Sequence, residues 1–289
     1  MAKNEIDEHT GVETTGHEWD GIRELNNPLP RWWLYIFYAT IVWSIVYWVL
    51  MPAWPGLTGH TRGLRDHSER RNVEMAVAEM DADRAEATQK LLAAEDLAVI
   101  ENDPELIEFA LAAGASLFGD NCATCHGAGG QGFKGYPNLN DDAWLWGGTL
   151  DHIRQTLQVG IRSEHPETRF SLMQAYGRDE LLTRDEIGDL TAYVMNLSGQ
   201  EADGEAVTRA APLFAEQCAM CHGDAGKGDP TQGAPNLTDA VWLYGGDAET
   251  IYETLWNARG GVMPSWSARL TEAEIAALAV YVHALGGGE

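Results

Sequence analysis

Within 289 residues the pattern Cys-x-x-Cys-His occurs twice, as Cys122-Ala123-Thr124-Cys125-His126 and as Cys218-Ala219-Met220-Cys221-His222. No other feature restricts the fold as much. These four cysteines are all the chain has. Two thiols three residues apart share one face of a helical turn, where they reach the two vinyl groups of a haem and close thioether bonds. The histidine that follows turns its imidazole to the iron as proximal ligand. A glycine comes next in both copies, Gly127 and Gly223, where a bulky side chain would crowd the porphyrin. Other uses of paired cysteines fit less well. A zinc ribbon sets its pairs roughly 15–20 residues apart, whereas these pairs are separated by most of a domain. A thioredoxin-like dithiol needs a βαβ context that is missing, and a disulfide within each pair leaves the histidines unexplained.

Each motif sits inside a longer repeat. The motifs are offset by 96 residues; Pro137-Asn138-Leu139 returns as Pro235-Asn236-Leu237 and Trp144-Leu145-Trp146-Gly147-Gly148 as Trp242-Leu243-Tyr244-Gly245-Gly246, both at 98. Thr183 to Ile187 with Tyr193-Val194 matches Thr271 to Ile275 with Tyr281-Val282 at an offset of 88. The register slips by only a few residues, so the two units share a fold, with a boundary near Gly199–Gly204. Each reads as helix, motif, loop, helix, loop, helix. Asp103 caps a helix with Pro104 in its first turn. Later helices begin at Thr149–Leu150 and at Thr183, where Thr183 and Glu186 form a capping box. Strand signals are nearly absent. The expected class is all-α, one N-terminal transmembrane helix followed by two tandem cytochrome c domains. The expected divisions are an acidic arm (1–31), an anchor helix (32–54), a charged, partly helical linker (55–102) and two cytochrome c domains (103–200 and 201–289). Units of this size are marginal alone, so a buried porphyrin is expected to form part of each core, packed by Phe118, Trp144, Trp146, Leu157 and Tyr193 in one and Phe214, Trp242, Leu255 and Tyr281 in the other.

The anchor rests on the apolar run from Trp32 to Met51, uncharged between Arg31 and Arg62. About 20 residues at helical rise span about 30 Å, a bilayer core. Trp32, Trp33 and Tyr35 stand at one end and Tyr47, Trp48 and Trp54 at the other, as interfacial belts require. A cleaved signal peptide is disfavoured by the long acidic arm and the length of the run. Two flanking basic residues precede the helix (Arg23, Arg31) and four follow it (Arg62, Arg65, Arg70, Arg71). By that rule alone the C-terminal part would stay in the cytoplasm. The rule is weak for long translocated domains, and the haem chemistry points the other way. Nineteen Lys and Arg against forty-four Asp and Glu give a net charge of -25; nucleic acid is thereby excluded as a partner, and a basic protein favoured.

The opposite axial position needs a ligand from downstream of each motif. Met263 lies in Gly260-Gly261-Val262-Met263-Pro264, where glycines let the backbone approach the ring and proline stiffens it. In the first unit the equivalent is Met173, in Ser171-Leu172-Met173-Gln174, with no proline after it. Met195 falls in an apolar helical stripe and reads as core, and Met220 lies inside a motif and cannot fold back. His152 and His165 are the only histidines that could substitute for Met173. Histidine–methionine ligation closes both axial positions and raises the reduction potential. No acid–base constellation stands near either motif, so the units read as electron carriers.

The stretch Asn27-Pro28-Leu29-Pro30-Arg31-Trp32-Trp33, the single anchor after it and the two Cys-x-x-Cys-His units resemble the membrane-anchored dihaem subunit III of cbb3-type cytochrome c oxidases. The resemblance covers nearly the whole chain. It implies two haems c held covalently by Cys122, Cys125, Cys218 and Cys221, with His126, Met173, His222 and Met263 as axial ligands. Gln174 departs from the family pattern, where proline is usual. The resemblance further implies a single pass through the bacterial inner membrane, with the haem domains periplasmic. Electrons would come from a donor c-type cytochrome and leave to a monohaem subunit. Oxygen reduction would follow in the haem-copper catalytic subunit of a proton-pumping complex that also holds a small single-helix subunit. The alternative is a free-standing anchored dihaem cytochrome serving another reductase or oxidase. With two similar domains, each methionine could serve its own haem or its neighbour's; ligation within each domain is the default expectation, because it needs no precision between domains.

Overall fold

The computed structural model describes residues 5–288 and divides into two units between Ala82 and Asp83, each described by itself. In the first, the acidic arm is not irregular throughout: β1 (Thr14–Trp19) and β2 (Ile22–Leu25) pair antiparallel. Trp19 opposes Ile22, which leaves Asp20-Gly21 as the turn, with φ of 49° and 83°. Positive φ at both positions is the primed turn whose twist suits a hairpin, and Asp-Gly is its sequence signature. The signal was in the sequence, but without an apolar face on either strand no alternation accompanied it.

The first helix, α1 (Arg31–Leu50), is 20 residues long and has no buried residue. It is apolar all round rather than striped, the pattern of a helix whose surroundings are apolar on every side. Among the described residues it is the one helix long and apolar enough to cross a membrane. It stops short of the expected residue 54, since Pro52 and Pro55 cannot continue it. A small hairpin, β3 (Pro55–Gly56) and β4 (Gly59–His60), then turns the chain back. Leu64 and Arg65 donate their backbone N–H groups to the carbonyls of Val49 and Leu50 at 2.9 and 3.0 Å. These carbonyls would otherwise lack partners at a helix end. Gly63, at φ 69°, makes the return possible, because a Cβ there would lie 2.5 Å from the Leu50 oxygen. Trp54 meets Trp48 edge-on, with ring centroids 4.8 Å apart. The charged linker is helical over most of its length as α2 (Glu69–Ala93), with Leu91 its only buried residue.

The second unit is helical: after α3 (Ala98–Glu101), at the end of the linker, α4 (Pro104–Asn121), α5 (Ala123–His126), α6 (Leu150–Val159) and α7 (Arg184–Leu197) belong to the first repeat. The second repeat supplies α8 (Gly204–Gln217), α9 (Ala219–His222), α10 (Ala248–Asn257) and α11 (Glu272–His283). The expected caps form. Asp103 accepts from the N–H groups of Glu105 and Leu106, and Thr183 with Glu186 and Thr271 with Glu274 close capping boxes.

The repeats are tandem in sequence but not in packing. The last helix of the second repeat, α11, lies on α4 and α6 of the first, and α7, the last of the first repeat, lies on α8 and α10 of the second. Two cores result. One joins Leu106, Phe118, Ile153 and Leu157 to Trp266, Ile275, Leu278 and Val282. The other joins Tyr176, Ile187, Leu190 and Val194 to Phe214, Ile251 and Leu255. The crossings correspond. Phe118 lies tilted against Tyr281 at 5.4 Å in one, and its counterpart Phe214 meets Tyr193 at 4.8 Å in the other. At Gly114 the helices approach so closely that a Cβ would come 2.4 Å from Cβ of Tyr281.

Candidate functional site

Each motif forms one short helical turn, α5 and α9, directly after a long helix. The turn ends because Gly127 and Gly223 adopt φ of 81° and 76°, a conformation that a side chain would resist. None of the four cysteines is paired in a disulfide. Burial pushes the Cys122 and Cys218 thiols up to about 11.

The two histidines are held in the same way. The loop after each motif folds back so that His126 Nδ1 lies 3.0 Å from the carbonyl of Pro137, and His222 Nδ1 lies 3.0 Å from that of Pro235. A carbonyl oxygen only accepts, so Nδ1 carries the proton and Nε2 keeps its lone pair. Burial holds both imidazoles below the usual histidine range, which favours this neutral form. The repeated Pro-Asn-Leu was visible in the sequence; its function as the acceptor that orients the imidazole was not.

Around the first motif, Phe118, Cys122, His126, Leu157, Ile161 and Val282 line a cavity of about 100 Å³, and Met263 lines it with them. Met263 thus faces the first motif, not the motif of its own repeat. Backbone bonds hold it there. Ile161 and Met263 exchange both N–H to O bonds at 2.9 and 3.0 Å, and Trp266 donates to the Leu157 carbonyl at 2.9 Å. The reciprocal arrangement holds Met173. It packs against the second core, as Cys218, Leu237 and Trp242 also do, and three residues on, Tyr176 donates to the Leu255 carbonyl at 3.1 Å. Trp266 follows Met263 at the same interval, and Leu255 is the repeat counterpart of Leu157. The chain segments that carry the methionines are thus exchanged between the repeats along with the helices that follow them, a packing that departs from the default expectation of pairing within each domain.

Met195 also borders the second core, but its repeat counterpart on α11 is His283, which turns away from the first cradle and contacts Glu101 at 2.7 Å. His152 accepts from Arg169 through its carbonyl, and His165 is spent in its own loop, where Nδ1 accepts from the Glu167 N–H. Met220 is 83% exposed.

The repeats also meet at their loops. Trp146 lies against Gly233, where a Cβ would come within 2.3 Å of the indole, and the counterpart Tyr244 lies 3.4 Å from such an atom at Gly135. A cleft of about 770 Å³ opens between these loops, lined from both sides by Tyr136, Trp144, Trp242 and Tyr244. Three arginines unforeseen in the sequence stand nearby. Arg259 and Arg169 stack over Tyr244 and Trp146 at 5.3 Å each, and Arg162 bridges two loops. Burial lowers Arg162 and Arg169 from the usual guanidinium range. The buried Nε of Arg169 finds no acceptor among the described residues.

The donors in each cradle suit a covalently held haem: two thiols, an imidazole with Nε2 unused, a thioether sulfur and apolar walls. An orphaned guanidinium N–H beside the first cradle suits a carboxylate. No group of three or more His, Cys, Asp or Glu able to hold a bare metal ion occurs among the described residues.

Comparison with known proteins agrees. Residues 11–58 match the model of the N-terminal domain of cytochrome oxidase-cbb3, FixP; residues 111–198 match cytochrome c; residues 205–282 match cytochrome C oxidase, cbb3-type, subunit III. The chain is 52% identical over 287 residues to the cbb3-type cytochrome c oxidase subunit FixP of Bradyrhizobium sp. (strain ORS 278), covering 99% of each. It is 51% identical over 297 residues to subunit CcoP of Azospirillum sp. (strain B510), covering both chains completely. To subunit CcoP of Cereibacter sphaeroides it is 51% identical over 277 residues, covering 96% of this chain and 95% of the relative.

Proposed function

The chain belongs to the FixP/CcoP family of cbb3-type cytochrome c oxidase subunits, an electron-transfer component of that oxidase, and from this we propose that it holds two haems c whose axial sulfurs are exchanged between its repeats. Cys122, Cys125 and His126 work with Met263, and Cys218, Cys221 and His222 work with Met173. The observation that carries this reading is Met263 lining the cradle of Cys122 and His126. Bound haem supplies a one-electron iron couple. Pro137 and Pro235 hold the imidazoles in the tautomer that offers Nε2. The exchanged loops present the sulfurs, and the apolar walls keep water from the site. Full coordination suits electron transfer rather than substrate binding. The Arg169 Nε–H suits a propionate. The cleft lined by Tyr136 and Trp144 from one repeat and by Trp242 and Tyr244 from the other borders the loops of both cradles, which suits a relay between them.

The anchor reading extends this. A 20-residue apolar helix with aromatic ends fits a single pass through the inner membrane, with the acidic arm cytoplasmic and the haem domains periplasmic. The partners in this reading are a basic donor c-type cytochrome, a monohaem subunit, the haem-copper catalytic subunit and a small single-helix subunit. The deciding experiment is cross-relaxation in the reduced full-length chain, from the ligand methyl of each methionine to the thioether bridges of the haem it meets. The reading requires Met263 to reach the bridges at Cys122 and Cys125; contact with those at Cys218 and Cys221 would overturn it.

A further inference from the structure

Beyond α6 the chain turns at Gly160, with φ 68°, and Arg162 itself stands at φ 51°. A non-glycine residue adopts left-handed backbone only rarely, so the surrounding bonds must hold it. They do. Its N–H donates to the Arg169 carbonyl at 2.9 Å. Its side chain reaches the two methionine loops at once: Nε donates to the Gly261 carbonyl at 2.6 Å and Nη1 to the Ser171 carbonyl at 2.9 Å. Gly261 precedes Met263 by two residues and Ser171 precedes Met173 by two. The residue before it, Ile161, is already paired with Met263 on both sides.

A guanidinium is a rigid planar fork whose donors keep fixed relative directions. Two carbonyls bound to one fork cannot shift independently. We propose that Arg162 is a positioning residue common to both haem sites, a strap that sets the approach of the two axial methionines together. It touches neither sulfur and acts through the backbone of each loop. The inference rests on the exchanged-ligand reading for which haem each loop serves, but the strap itself joins the loops whichever way the ligands are assigned.

The test uses the full-length chain, matured with both haems and purified in detergent, in Arg162→Ala and Arg162→Lys forms. The readouts are the weak sulfur-to-iron charge-transfer band of each oxidised haem and the two reduction potentials. Alanine releases both loops, so the band weakens at both haems and both potentials fall. Lysine keeps the charge but lacks the fork, so it fails to restore either band. Loss at one haem only would overturn the proposal, as would unchanged bands. Full recovery with lysine would overturn it as well, by showing that charge alone matters. Should the alanine form not mature, the lysine form decides alone: partial loss at both haems supports the strap and a wild-type spectrum ends it. Cross-relaxation from each methionine methyl, read in the same samples, separates the two claims. Met263 seen beside Cys218 would remove the exchanged assignment while joint loss of both bands still upheld the strap.

Discussion

At the residue scale, the contrast between Met263 and Met195 shows what brings a thioether to a motif. Both are methionines downstream of a motif, and Met195 even borders the second core. Met263, however, stands on extended backbone stitched to Ile161 by two hydrogen bonds, whereas Met195 is fixed to a helix whose packing sets its direction. Met263→Leu is accordingly expected to abolish the sulfur-to-iron band of the haem at Cys122 and Cys125, and to leave the other haem intact. Met195→Leu is expected to leave both bands at wild-type intensity. Optical and magnetic resonance spectra of the two oxidised variants check this. Among the residues that position the cradles, Gly233 tolerates little change. Its φ is +64° and a Cβ would enter the Trp146 ring, so Gly233→Ala must displace the loop behind the second motif or the indole beside the first.

At the scale of elements, two helix pairs carry the fold, and each joins one repeat to the other. Phe118 is 1% exposed in the α4–α11 core, and Phe118→Ala is expected to cost about 3–5 kcal/mol, read from thermal or denaturant unfolding. At the crossing itself, Gly114→Val has nowhere to put its branches, since even a Cβ lies 2.4 Å from Tyr281. It should lower the melting temperature and loosen the first haem, although the helix it strikes belongs to the second repeat. The other pair, α7 on α8, is fastened at its rim by Arg209, which donates to both oxygens of Asp189 at 2.8 and 2.7 Å. That bond holds the Asp189 carboxyl below the usual range. A carboxylate depressed in the fold adds stability above its unfolded pKa and loses it as pH falls toward the folded value. Asp189→Asn should therefore flatten part of the acid limb of stability below pH ~4. Arg209→Gln should reproduce the effect, and a limb unchanged in either variant would contradict the assignment. The side chains are at the surface, so the expected change is small.

For the whole molecule, exchange of the terminal helices means that neither repeat is self-sufficient. The segment 201–289 expressed alone lacks Met173 and α7, and so lacks the sulfur and the helix that complete its cradle. It should attach haem poorly or hold it without a methionine ligand, and its reduced spectrum reports this directly. Residues 103–200 alone should fail in the same way, for want of Met263 and α11. The net charge of -25 also acts at this scale. A basic donor cytochrome would be steered by long-range attraction, so its oxidation rate should fall as ionic strength rises past about 0.1 M. A flat dependence would exclude steering.

The sequence by itself determined the chemistry of the sites: two donor sets, their cysteines and histidines, and both methionines as candidates. It also located the helix starts, because caps and Cys-x-x-Cys-His act within a turn or two of themselves. The Asp-Gly hairpin was equally local and equally readable, though its exposed strands carried no alternation to draw notice. Which methionine segment packs beside which motif was decided only by tertiary structure. The repeats are so alike that α7 and α11 could each have closed either cradle by composition. The choice between them turns on how surfaces fit at crossings such as Gly114 against Tyr281 and Phe214 against Tyr193, and on backbone bonds between residues a hundred positions apart. Such complementarity has no signature in a one-dimensional spacing.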